Sequence, residues 1–364
     1  MSTCTNIPSI DEIREQTKTS FGVNPCLWQA EVAQAVLRRD KDIISVSGTG
    51  SGKTITFWIP LLFRSRGIQI VVTPLNILGK QQVDQLAKVG IRAVALSGET
   101  ATHEKYKAIE DGQYRVVVVS PEELLKKKGS FMQLLMNEAW ASQIISIIWD
   151  EGHCIGPSSW GSFRPAYKDA ACLRHILPRN VPYLVTSATL DDHAVDEIVS
   201  VLQLQKDRLI QFRNSNDRPN IHITVRKLVY SMSSYLDLNF LIPVDWKEGD
   251  NVPKFLVFFD RISESVAAAR MLRRRLPPHL RCKIKWFNSE MSSQFRDKTQ
   301  SSYKSGGVWG LYCTDSFGMV SIHKCCRADS RHLPVGYVTD VEEEYLFFAI
   351  FLDFPVKTLS NIRY

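Results

Sequence analysis

The stretch Ser47–Thr54, SGTGSGKT, constrains this chain more than any other. It follows Asp42–Val46, a run that reads as a strand, and precedes a helical pattern starting at Ile55. A glycine-rich turn between a strand and a helix N-terminus can close backbone N–H groups around an anion, and the helix dipole adds partial positive charge. The strict pattern G-x-x-x-x-G-K-[ST] has glycine where this chain has Ser47, and a small residue still fits. In this context Gly48, Thr49, Gly50, Ser51 and Gly52 form a phosphate cradle, Lys53 reaches the outer phosphates, and the Thr54 hydroxyl is placed for Mg²⁺. The alternative is a glycine-rich turn with an incidental lysine.

Strand-like runs recur along the first two hundred residues: Asp42–Val46, Ile68–Thr73, Ala93–Leu96, Tyr114–Val119, Ile144–Trp149 and Tyr183–Thr186. Segments with helical spacing lie between them, such as Gln81–Ala87, Pro121–Lys126 and Tyr167–Ile176. This alternation predicts a parallel sheet covered on both faces. A second α/β pattern follows the polar stretch Asn214–Asn220: strands over Lys254–Phe259, Lys283–Phe287 and Val308–Cys313, and helices over Ser263–Leu276 and Ser293–Lys304. The chain has 364 residues, enough for about two domains. Its 44% hydrophobic and 23% charged content excludes a disordered or fibrous chain. A net charge of +7 suits a polyanionic partner. The apolar run Tyr345–Leu352 is far short of the ~20 residues that span a bilayer, so no membrane partner is expected. The acidic start of the chain has no apolar core, which points away from secretion. The eight cysteines form no C-x-x-C pair, and His323, Cys325 and Cys326 lack the spacing of a structural zinc site.

A second chemical signal closes the run Ile144–Trp149 with Asp150-Glu151-Gly152-His153. A carboxylate at the end of a buried strand beside a phosphate loop can hold Mg²⁺ through water, which is the role read for Asp150. Glu151 would polarise the attacking water, and His153 would link the nucleotide site to another element. A solvated acidic turn is the bland alternative. Ser187-Ala188-Thr189 follows the next strand, where its hydroxyls could report nucleotide state to the D-E-G-H residues.

These three motifs in this order resemble a superfamily 2 helicase core, and further stretches resemble the RecQ family of DNA helicases. Phe21-Gly22 with Gln29 is similar to that family's adenine-reading motif. Val71–Leu86, VVTPLNILGKQQVDQL, resembles the motif after its second strand. Cys154-Ile155 with Ser159–Pro165, SWGSFRP, resembles its aromatic-rich loop, and Asp217–Asn220, DRPN, matches its signature at the end of the first domain. In the second half, Lys254–Arg261, Trp286–Met291 with Arg296, and Cys313–Met319 are looser matches. Several segments are most similar to RecQ-like helicases of basidiomycete fungi.

The resemblance implies two RecA-like P-loop domains, the second incomplete. It sets residues 1–20 as an N-terminal extension, 21–213 as the ATP-binding domain, 214–230 as linker, 231–319 as part of the second domain and 320–364 as a divergent tail. It implies ATP and Mg²⁺ as cofactors and single-stranded DNA and duplex junctions as partners. The expected activity is 3′-to-5′ unwinding in recombination and repair, in the nucleus. Trp160 and Phe163 would stack on bases beside Arg164, since stacking tolerates any base sequence. Lys80 and Gln82 would touch the DNA backbone, and the arginines of Ala269–Arg275 could track phosphates or form a solvated face.

The sequence also departs from the family. Leu27-Trp28 precede Gln29 where the family's adenine motif carries an arginine. Gly152 replaces alanine, and Gly156–Ser158 lengthen the aromatic loop. After Met319 the pattern breaks, and no Q-x-x-G-R-x-G-R sequence, whose arginines meet the γ-phosphate, occurs anywhere. Val320-Ser321 can be encoded as a splice-donor start, so a retained intron is one expectation for the tail. A second function reading is therefore an ATP- and DNA-binding pseudo-helicase with little turnover. An RNA helicase and an unrelated kinase are more distant alternatives.

Overall fold

The computed structural model describes residues 7–74, 76–156, 165–216, 226–314, 345–346 and 350–352. The chain divides into two compact units between Asn216 and Asp217.

Unit 1 opens with α1 (Ile10–Phe21), whose N-terminus carries a reciprocal cap: Ser9 Oγ accepts from the Glu12 N–H, and Glu12 accepts from the Ser9 N–H. Gly22, in the left-handed region at φ +68°, ends it. The chain continues through α2 (Leu27–Arg38), β1 (Asp42–Val46), α3 (Ile55–Leu62), β2 (Ile68–Val72), α4 (Asn76–Ala87), β3 (Ala93–Leu96), α5 (His103–Glu110) and β4 (Val116–Val119). Three short helices follow, α6 (Pro121–Leu124), α7 (Ser130–Met136) and α8 (Glu138–Ala141), and then β5 (Ile144–Trp149), α9 (Leu173–Ile176), β6 (Tyr183–Ser187), α10 (Asp192–Val201) and β7 (Leu209–Arg213).

The seven strands form one parallel sheet in the order β3-β4-β2-β5-β6-β1-β7. Its central strands are buried on both faces, which is why they read as unbroken apolar runs. Successive residues feed opposite cores. Ile44, Ile70 and Ile147 join a cluster with Ile109, Leu124, Phe131, Leu173 and Ile198. Ile43, Val71 and Ile148 join one with Val32, Phe57 and Leu86. Residues 10–20, expected as an extension outside the first domain, pack into unit 1: Ile13 is fully buried with Ala30, Ala33, Leu37 and Ile59. Most of the segment 167–176, expected as helical, is 3₁₀ over Pro165–Cys172, with α9 only at its end.

In unit 2, β8 (Arg226–Lys227) is followed by β9 (Lys254–Phe258), α11 (Ile262–Arg273), β10 (Ile284–Phe287), α12 (Ser293–Lys304) and β11 (Gly310–Cys313). Strands β10, β11 and β9 are parallel neighbours around a core of Phe255, Ala268, Leu272, Ile284 and Tyr312. Gly310 leaves room for the Phe255 ring, which a Cβ there would meet at 2.1 Å. From the tail come β12 (Tyr345–Leu346), antiparallel to β8, and β13 (Ile350–Leu352), antiparallel to β9. The edge of β9 away from β11 is thus covered by β13, which takes up backbone groups that β11 leaves unpaired.

Candidate nucleotide-binding site

Three neighbouring strands of unit 1 bring the motifs together. β1 lies beside β6, and β6 beside β5. The loop after β1, Asp150–His153 after β5, and the end of β6 therefore open at the same carboxyl edge of the sheet, where open α/β sheets form their sites. Ser47 is stitched to that edge by its N–H, which donates to the Ser187 carbonyl at 3.0 Å.

The glycine-rich loop takes the conformation its composition allows. Gly50 and Gly52 have φ of +82° and +84°, a region costly for other residues. Ser47, where the strict pattern has glycine, sets its hydroxyl 2.8 Å from the Ser51 hydroxyl across the loop. Lys53 is nearly buried, and its ammonium donates to the Ser47 carbonyl at 2.7 Å and the Gly48 carbonyl at 3.2 Å. Burial lowers the Lys53 pKa, and the nearby Glu151 and Asp150 offset part of that. Thr54 sits at the N-cap of α3. Gln29 braces the loop from behind: its amide nitrogen lies 3.1 Å from both the Ser51 and Gly52 carbonyls, and its oxygen accepts from the Cys26 N–H at 2.8 Å. The expected adenine reader thus has its amide engaged inside unit 1. A Cβ on Gly52 would meet that nitrogen at 2.7 Å.

Asp150 is the most constrained carboxylate of the edge. Its Oδ1 accepts from the Glu151 N–H at 3.1 Å and the Thr186 hydroxyl at 3.2 Å; its Oδ2 accepts from the Gln82 amide at 3.2 Å. Burial, then the Glu151 charge, pushes Asp150 up to about 7, and burial raises Glu151 as well. Two raised carboxylates beside an ammonium held on loop carbonyls form a donor set that suits a divalent cation and phosphate oxygens. Asp150 and Thr54 are the residues that would hold Mg²⁺. Glu151 sits in the left-handed region at φ +53°, a strained conformation of the kind found at functional sites.

His153 connects this edge to β6. Its Nδ1 lies 3.1 Å from Ser187 Oγ and 3.4 Å from Glu151 Oε2. Ser187 Oγ gives its one hydrogen to the Thr189 carbonyl at 3.1 Å, so it accepts from His153 Nδ1–H and from the Thr189 N–H. Burial lowers the His153 pKa, which favours the neutral ring. Ala188 offers its carbonyl to the Asn216 amide at 2.8 Å.

Gln82, expected at a DNA backbone, is instead buried at 6% exposure and bonded to Asp150, because its side of α4 meets the turn that follows β5. Lys80 on the same helix is exposed. Sequence reasoning missed the Gln82–Asp150 contact, since nothing in the spacing of the two residues signals it. Trp160, Phe163, Arg164 and the D-R-P-N stretch lie outside the described residues, as do His323, Cys325 and Cys326. Within the arginine-rich segment, Arg273 stacks 4.4 Å over Trp286 and donates to the Ile284 carbonyl, while Arg275 donates to the Asn239 and Ile242 carbonyls. Those two arginines are thus engaged inside unit 2.

A family model described as DEAD/DEAH box helicase matches residues 27–198, which hold both the glycine-rich loop and the D-E-G-H turn. Residues 27–198 are a DEAD/DEAH box helicase domain. Curated relatives include the ATP-dependent DNA helicase RecQ of Haemophilus influenzae, 30% identical over 301 residues, covering 80% of this chain and 44% of the relative. The ATP-dependent DNA helicase Q-like 2 of Arabidopsis thaliana is 27% identical over 297 residues, covering 80% of this chain and 40% of that protein. The chain thus spans less than half the length of these two relatives. Among solved structures, the DUF1998 helicase MrfA bound to DNA shares the fold with a TM-score of 0.62 at 15% identity, over 88% of this chain and 46% of that one. The helicase domain accounts for most of unit 1, including all three strand ends that build the site.

Proposed function

We propose that this chain is an ATP-dependent DNA helicase of RecQ type that moves 3′ to 5′ along single-stranded DNA and opens duplex junctions. The observation that supports it most is the convergence of Lys53, Asp150, Glu151 and the His153–Ser187 contact at one sheet edge. In this reading the N–H groups of Gly48–Thr54 and the Lys53 ammonium hold the phosphates. Bound Mg²⁺, held by Thr54 and Asp150, would neutralise phosphate charge. Glu151 orients the attacking water and accepts its proton. His153 passes the state of that site to Ser187, Ala188 and Thr189 at the end of β6. Trp160, Phe163 and Arg164 are the proposed DNA contacts, and exposed Lys80 is proposed as a further one. Nuclear repair and recombination is the proposed setting. Among the described residues, no helix is long and apolar enough to cross a membrane.

A second reading is favoured by one feature of the sequence: it holds no Q-x-x-G-R-x-G-R pattern. An arginine at the γ-phosphate contributes ~10³–10⁵ in rate in related phosphoryl transfers. A chain without one would bind ATP and DNA and turn over slowly. ATP hydrolysis with and without single-stranded DNA, beside Lys53→Ala, separates the two. DNA-stimulated turnover that falls at least ~100-fold in Lys53→Ala supports the motor, by the size of a lost charge contact to the reacting group. Nucleotide binding without stimulation supports the second reading. Stronger stimulation by RNA than by DNA would overturn the DNA assignment.

A further inference from the structure

We propose that Gln82 is a positioning residue: it fixes Oδ2 of Asp150 and thereby makes the placement of α4 a condition for nucleotide chemistry. This inference rests on the nucleotide-hydrolysis reading of the site.

The two oxygens of Asp150 are held differently. Both donors to Oδ1, the Glu151 N–H and the Thr186 hydroxyl, belong to the sheet edge, where strand register fixes them. The donor to Oδ2 is the Gln82 amide at 3.2 Å, and it comes from a helix. Any displacement of α4 releases Oδ2 and leaves Oδ1 untouched. Gln82 and exposed Lys80 are two residues apart, about 200° around the helix at 3.6 residues per turn. One face of α4 thus meets the carboxylate while the other meets solvent.

The state of the amide oxygen argues against simple packing. Among the described residues, Gln82 Oε1 is buried without a hydrogen-bond partner. Leaving an acceptor unpaired in the interior costs stability, and an apolar side chain of the same length would avoid that cost. An amide is favoured here if its nitrogen is needed at Asp150.

The test compares Gln82→Met with Gln81→Met, the same change one residue earlier on α4, in the full chain. Three quantities are read: thermal midpoint, ATP affinity with and without Mg²⁺, and kcat and KM for hydrolysis. Gln82→Met should keep its midpoint within a few degrees and bind ATP normally without Mg²⁺. It should lose ~10-fold or more of the affinity gained from Mg²⁺, and of kcat, the size expected when a partner of a metal-holding carboxylate is removed. Gln81→Met should match the parent in all three. If Gln82→Met keeps the full Mg²⁺ gain and kcat, or loses midpoint and function together, Gln82 is a packing residue and the proposal falls. If the parent binds Mg²⁺–ATP but does not hydrolyse it, the helicase reading fails while the Mg²⁺ measurement still decides Gln82. A parent that binds no nucleotide overturns both.

Discussion

Asp150 shows how burial sets the character of a single residue. Its carboxyl is pushed up to about 7, first by burial and then by the Glu151 charge. The unfolded chain would ionise it near ~3.9. An acid raised in this way stabilises the fold fully below its unfolded pKa, and that contribution is lost as pH rises to the folded pKa. Without divalent cations, Asp150→Asn should therefore melt above the parent at pH values past the folded pKa. The gap should close as pH falls toward the unfolded value. Thermal unfolding of both proteins across that window checks it; a gap that stays constant with pH would remove burial as the cause. That the motif residues gather at one edge was legible in the sequence because each motif directly follows a strand-like run, and such strand ends share one edge of a parallel sheet. Gln82 was misread for the opposite reason. An amide on a polar helix looks like a surface group until the helix is docked.

At the scale of elements, the turn after β5 packs against β6 more tightly than its sequence suggests. Gly152 stands where the family carries alanine, and a Cβ there would lie 2.5 Å from Val185 Cγ1 and 3.5 Å from the Thr186 carbonyl. In this chain the small residue is matched to a branched one on the next strand. Gly152→Ala should destabilise unit 1 by about 1–3 kcal/mol through overpacking. Adding Val185→Ala should recover part of that loss, giving a coupling of about 0.5–3 kcal/mol in a double-mutant cycle measured by urea unfolding. Additive losses would mean the turn relaxes elsewhere. β7 was not read as a strand. Leu209–Arg213 is short, half-exposed and ends in a charge, and only its pairing with β1 makes it part of the sheet. The 3₁₀ stretch Pro165–Cys172 was misread because a spacing near three apolar positions fits both helix types.

For the whole molecule, the division at Asn216 places every described site residue in unit 1. That unit has its own buried cores on both sheet faces and under α1. A fragment of residues 1–216 should therefore fold and bind an ATP analogue within about threefold of the full chain, a difference under ~1 kcal/mol. Its DNA-stimulated turnover should be lost if unit 2 is needed for the motor cycle. Calorimetric binding to both proteins is the measurement. A fragment that folds but does not bind would show that unit 2 supplies part of the nucleotide site.

Sequence alone determined the parallel α/β character of unit 1 and the order of its motifs along the chain. Apolar runs buried on both faces and a glycine-rich strand-to-helix turn are local patterns that few other folds accommodate. Tertiary structure alone decided the rest. It placed β1, β6 and β5 side by side, docked α1 onto α2 and α3, turned Gln82 inward to Asp150, and paired β13 with β9. Each of these joins residues far apart in the chain. No local preference encodes such a contact; it forms because an edge, an apolar face or a carboxylate oxygen lacked a partner until the sheet assembled.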